Sequence, residues 1–246
     1  MEGRSDARLT AARAGDGGMD VRVTGAMFDA APFMDGEAGE SGAPSSANEP
    51  PLRAQVQVAQ LRMRGGALLQ NGRVDLLAER GALIMLTAEG QTPSGRSFTL
   101  GLGPRLADPQ GRIRLRSEDG GFAIRALTGS ENIVGGTASA DGEWRPGPPT
   151  TARFDVSLRD FQLVRMPAMT RLLSSAGSLT GLVEMLNGDG IGFSTLTAPV
   201  VYSHGRFSVR EARMTGPSLG LTASGSYDAA RDNLDVDGVV APSPTL

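Results

Sequence analysis

The chain has 246 residues, a formal net charge of −3, 39% apolar and 4% aromatic residues, no Cys and one His. That balance excludes a general affinity for nucleic acid, disulfide staples, thiolate metal sites and multi-His metal centres. Gly is abundant at 34 residues while large core fillers are few, which suits an extended sheet better than a compact globule.

Residues 1–18, "MEGRSDARLTAARAGDGG", read as a disordered N-terminus that is too polar for a signal peptide. Residues 19–34 read as a short strand carrying Val21 and Val23, then an apolar turn around Phe28 and Phe33. Residues 35–51, "DGEAGESGAPSSANEPP", are acidic, small and proline-bearing, the composition of a flexible loop. A β-meander is expected over 52–142, with strands at Arg53–Met63, Ala67–Ala78, Ala82–Ala88, Ser97–Leu102, Arg112–Arg116, Phe122–Thr128 and Ile133–Ala140. Gly- and Pro-bearing breaks separate them, such as Arg64-Gly65-Gly66, Pro93-Ser94-Gly95 and Asp119-Gly120-Gly121. Residues 143–150 form a Pro-rich joint in which Trp144 serves as a packing plug.

The final region, 151–243, alternates again. Phe154, Val156 and Leu158, then Phe207 and Val209, then Leu219 and Leu221, then Leu234 and Val236 each sit one polar residue apart. Period-two alternation puts these nine side chains on one apolar sheet face. Between them a two-helix insert near 167–187 is expected, one stripe made by Met169, Leu172, Leu173 and Ala176, the next by Leu179, Leu182, Val183 and Leu186. The fold class that follows is mainly β: an extended, curled antiparallel sheet, a groove-like meander, with that short helical insert. The nine alternating residues are the candidate lining of an apolar groove.

Motifs for chemistry lack their context. "GPSLG" at Gly216–Gly220 matches a nucleophile elbow, but strand-like residues follow Ser218 and His204 precedes it, so a hairpin turn is expected. "NLDVDG" opens like a calcium loop, yet Pro244 stands where a bidentate Glu belongs, and an acidic edge strand is the better reading. "GDGIG" follows a helix rather than opening one, so it reads as a helix stop before a strand. His204 beside Gly205 fits a turn, and Arg112, Arg114 and Arg116 fit a solvated outer stripe. No catalytic residue, cofactor or metal is expected; a hydrolase built on Ser218 is the remotest of the readings.

Several segments, taken in order, resemble the C-terminal region of AsmA-like proteins, the large YhdP-type branch in particular. They are "P-x-x-x-R-L-L-S" from Pro167, "S-L-T-G-L-x-x-x-L" from Ser178, "G-x-G-I-x-F" from Gly188, "G-P-S-L-G-L-T-A-x-G" from Gly216 and "L-D-x-x-G-x-V-x-P" from Leu234. The earlier "VRVTGAMFDAAPFM" is similar to that family's strand-then-"FDA-x-P" segment, so the resemblance covers most of 20–243. It implies a periplasmic protein held at the inner membrane through a segment absent from this chain, which then reads as a C-terminal fragment. The implied function is non-catalytic binding and transport of phospholipid or another envelope lipid along an apolar β-groove, in support of outer-membrane homeostasis. The alternative is a structural module of the cell envelope that pairs its sheet edges with other envelope proteins.

Overall fold

The computed structural model describes residues 5–35, 50–80, 82–105, 108–147, 149–165, 190–217, 219–228, 231 and 233–242. Its strands are β1 (Asp6–Arg13), β2 (Met19–Asp29), β3 (Leu52–Arg62), β4 (Leu68–Glu79), β5 (Ala82–Gln91), β6 (Ser97–Arg105) and β7 (Asp108–Ser117). They continue as β8 (Ile133–Arg145), β9 (Thr151–Leu163), β10 (Ile191–Ser203), β11 (Arg206–Thr215), β12 (Leu219–Asp228) and β13 (Asn233–Pro242). All thirteen join one open, curled sheet in which spatial order equals chain order. The expected groove-like meander is therefore the architecture.

Neighbours pair antiparallel except β2 and β3. Met19 pairs with Leu52 and Asp29 with Arg62, so the connection between these two parallel strands must return along their whole length. It begins with α1 (Ala31–Asp35). The expected flexible loop at 35–51 and the helical insert near 167–187 fall almost entirely outside the described residues.

Alternation explains the strands, but two segments correct the sequence reading. Residues 1–18 are not all disordered, because Asp6–Arg13 is β1. Its residues are nearly all exposed, and it is held by ladder hydrogen bonds to β2 rather than by burial. Phe122–Thr128 is not a strand but part of helix α2 (Gly120–Thr128). Here local capping overrides the alternation of Phe122, Ile124 and Ala126. The Asp119 carboxylate accepts the Phe122 N–H at 2.9 Å, and Gly129, at φ 81°, closes the helix in the left-handed conformation with its N–H on the Arg125 carbonyl. Asp119→Ala should cost about 1 kcal/mol in urea unfolding, the usual worth of such a cap. Strand ends also differ: β8 runs on to Arg145 and takes Trp144 into the sheet, and β7 begins at Asp108, within an expected break.

The two ends of the sheet are unlike. Connections β1–β2, β4–β5, β6–β7, β8–β9, β10–β11 and β12–β13 lie at one end and are short. Among the described residues the helices lie at the other: α1 after β2, a 3-10 turn (Arg64–Gly66) after β3, and α2 after β7. They are tied together by Arg64, which donates to the Leu127 carbonyl at 2.8 Å and to the Met34 carbonyl, and by Arg125 Nε, 2.7 Å from the Gly65 carbonyl. The link from β9 to β10 attaches at this end too. At this end lies the driest core: Phe98 and Ile191 are fully buried, Phe98 meets Phe122 of α2 edge-on at 5.9 Å, and Phe161 stacks on Phe193 at 5.7 Å.

Candidate functional site

Register converts the alternation into apolar rows that run across the strands. One row, by direct pairing, is Val23, Val56, Val74, Ala88, Leu100, Leu115, Ala140, Val156 and Ala198. The next, nearer the short turns, is Val21, Ala54, Leu76, Leu86, Leu102, Ile113, Gly142, Phe154, Val200, Val209, Gly225 and Val236. At the usual spacing of about 4.8 Å between strands, that second row extends roughly 50 Å. Leu158, Leu196, Met214, Leu221 and Val240 form a row on the helix side.

Keeping these rows on one face needs correction partway along the strands. In β9, Leu158 and Phe161 are both buried although three residues apart, a step that would place them on opposite faces of a regular strand. Asp160 between them has φ 54°, and Gly136, at the same level of β8, has φ 71°. Asn71 (φ 53°) does the same in β4, between buried Leu69 and Gly72. Each left-handed residue absorbs one step, so that apolar side chains return to the same face.

The opposite face is polar. Arg114 and Arg116 flank Asp141 at 3.8 and 2.9 Å, and Arg73 meets Glu89 at 3.0 Å. The arginine stripe of β7 thus lies on the solvated side. At the short turn after β12, the Arg231 and Arg206 guanidiniums hold the Asp228 carboxyl below its ordinary range.

The nine sequence-predicted residues share the apolar face but not one environment. Leu158 and Leu219, at 2% and 0% exposure, are core beneath the helix-bearing end. Phe154, Val156 and Leu221 are half-buried against that core, while Phe207 and Val209 are half-buried outside it. Val236, on the edge strand, is 55% exposed. Leu234 holds its register position opposite Tyr227, its side chain lying outside the described residues. The face thus grades from dry at the helices to half-open at the turns.

Sequence reading missed the continuation of this face through β2 to β8, although the same alternation marks Val21, Leu76 and Leu102. It also missed an aromatic row near the short turns, where Trp144, Ala152, Tyr202, Phe207 and Tyr227 are successive register partners. The Tyr202 and Phe207 rings lie 4.7 Å apart, and the Trp144 indole N–H is buried with no hydrogen-bond partner among the described residues. With one Trp and two Tyr in the whole chain, all three stand in this row.

The tempting motifs resolve locally. His204 (φ 52°) and Gly205 (φ 73°) make the β10–β11 turn, with the Ser203 hydroxyl 2.7 Å from His204 Nδ1. Gly216 N–H donates to the Leu219 carbonyl at 3.0 Å, and strand β12, not a helix, follows; Ser218 itself lies outside the described residues. Asn233–Pro242 is the edge strand β13. Among the described residues no three acidic or His side chains gather to hold a metal, and no helix is long and apolar enough to cross a membrane. Comparison with protein-family models, curated proteins and solved structures finds no match for this chain.

Proposed function

We propose that the apolar face binds the acyl chains of a phospholipid or another envelope lipid, as the resemblance to AsmA-like proteins implies for a periplasmic protein held at the inner membrane. The observation that carries this reading is the one-sided row from Val21 to Val236, apolar or Gly at every strand from β2 to β13 and half-open toward the short turns. Each CH₂ withdrawn from water against such a surface contributes about 0.8 kcal/mol, so a chain of ordinary length binds without any specific polar contact. Headgroups stay at the wet edge, where Arg206, Asp228 and Arg231 stand. The action is passive: no side chain forms a bond or passes a proton.

The test is native mass spectrometry of protein purified from a bacterial host, with the extracted lipids identified in parallel. A stoichiometric phospholipid increment is expected, lost in Leu221→Asp and Val209→Asp and retained in Thr222→Asp on the polar face. A folded protein that carries no lipid refutes the reading. The alternative, an envelope assembly module, is favoured by a different observation: the sheet does not close, and β1 and β13 are both edge strands.

A further inference from the structure

We propose that β1 and β13, the two edge strands of the sheet among the described residues, are partners for one another, so that copies of the chain add head to tail, β13 of one against β1 of the next. The inference rests on the edges and stands apart from lipid binding.

Direction comes first. β1 runs away from the helix-bearing end, since Asp6 pairs with Met27 and Arg13 with Met19. β13 runs toward it, since Asn233 pairs with Asp228 and Pro242 with Leu219. A second copy translated along the sheet, its helices and apolar face kept on the same sides, therefore presents β1 antiparallel to β13. That is the pairing used by all other neighbours in the sheet except β2 and β3.

Faces and charge come next. In the register that sets Leu9 opposite Val236, these two exposed side chains (62% and 55%) cover each other on the apolar face, while Val239, 67% exposed on the polar face, stands opposite Asp6. The same register sets Arg8 opposite Asp237 and Thr10 opposite Asp235 on the polar face. Arg8, Asp235 and Asp237 are exposed and make no ion pair among the described residues. Opposite charges facing each other across a ladder favour pairing, and like charges oppose it. One register thus satisfies apolar contact, charge and strand direction together. Because the contact is heterologous and the added copy leaves the same edges free, it propagates rather than closing at a dimer.

Sedimentation velocity over a concentration series tests this. Species growing beyond the dimer are expected, with association weakened about tenfold by Asp237→Arg and restored in the double variant Arg8→Asp/Asp237→Arg. Because the chain has no Cys, mixing Arg8→Cys and Asp237→Cys proteins under mild oxidation should give a mixed disulfide, while Thr99→Cys in mid-sheet should give none with either. A single 25.5 kDa species at all concentrations overturns the proposal. So does assembly indifferent to Asp237→Arg, or a monomer whose β13 edge captures a different envelope protein. Neither readout involves lipid, so the two readings fail separately.

Discussion

Replacing Phe98 by Ala is expected to lower the free energy of unfolding by about 3–5 kcal/mol, read from urea melts followed by far-ultraviolet circular dichroism. Phe98 is fully buried at the start of β6, and its ring meets Phe122 of α2 edge-on. Removing it leaves a cavity under the helix and deletes an aromatic pair worth about 1 kcal/mol beyond its area. The helix cannot settle into that space, because its first residues already touch β8. A Cβ on Gly120 would lie 3.1 Å from the Gly135 carbonyl oxygen, and one on Gly121 only 2.7 Å from that of Ile133. A cost below about 1 kcal/mol would mean that α2 is not seated on the sheet as described.

Gly136→Val is expected to cost about 3 kcal/mol or more, against almost nothing for Gly192→Ala. Gly136 holds φ 71°, and a Cβ there would collide with the Arg159 carbonyl oxygen and come within 2.9 Å of Phe161 Cβ. Gly192 has open space on its Cβ side and no positive φ, so Ala fits. The pair separates two explanations of a glycine-rich sheet. If both substitutions are equally mild, the step at Gly136 is not needed to return Ile133 to the face that carries Ala138.

These two sites also show what the sequence could and could not disclose. The strands of the last region were legible because Phe154, Val156 and Leu158, or Leu219 and Leu221, alternate without interruption. The inward side was not, since an alternating strand looks the same whichever face is covered; the packing of α2 decides it. Continuity of the rows was hidden by Asp160 and Asn71, single residues whose left-handed backbone leaves no mark in composition. α2 reads as a strand although Asp119 and Gly129 bracket it, because Phe122, Ile124 and Ala126 happen to alternate. β1 was missed because its order comes from main-chain pairing, to which an exposed sequence gives no apolar signature. Trp144 reads as part of the proline joint because Pro146 follows so closely, yet β8 persists through Arg145.

The identity of spatial and chain order has a consequence for how such a molecule is made and modified. Every strand is matched only with its immediate predecessor and successor, so no strand pairing waits for a distant part of the chain; the ties from Arg64 to Leu127 and from Arg125 to Gly65 are added once α2 is in place. Stability is then close to a sum of nearest-neighbour terms, as in solenoid proteins, and folding can spread hairpin by hairpin with little loop-closure cost. Fraying begins at the two outermost strands and moves inward, while β8, β9 and β10, with the longest ladders, are the last to part. A sheet of this kind is lengthened or shortened by whole hairpins without redrawing what remains, and length becomes a property that selection can set independently of the fold.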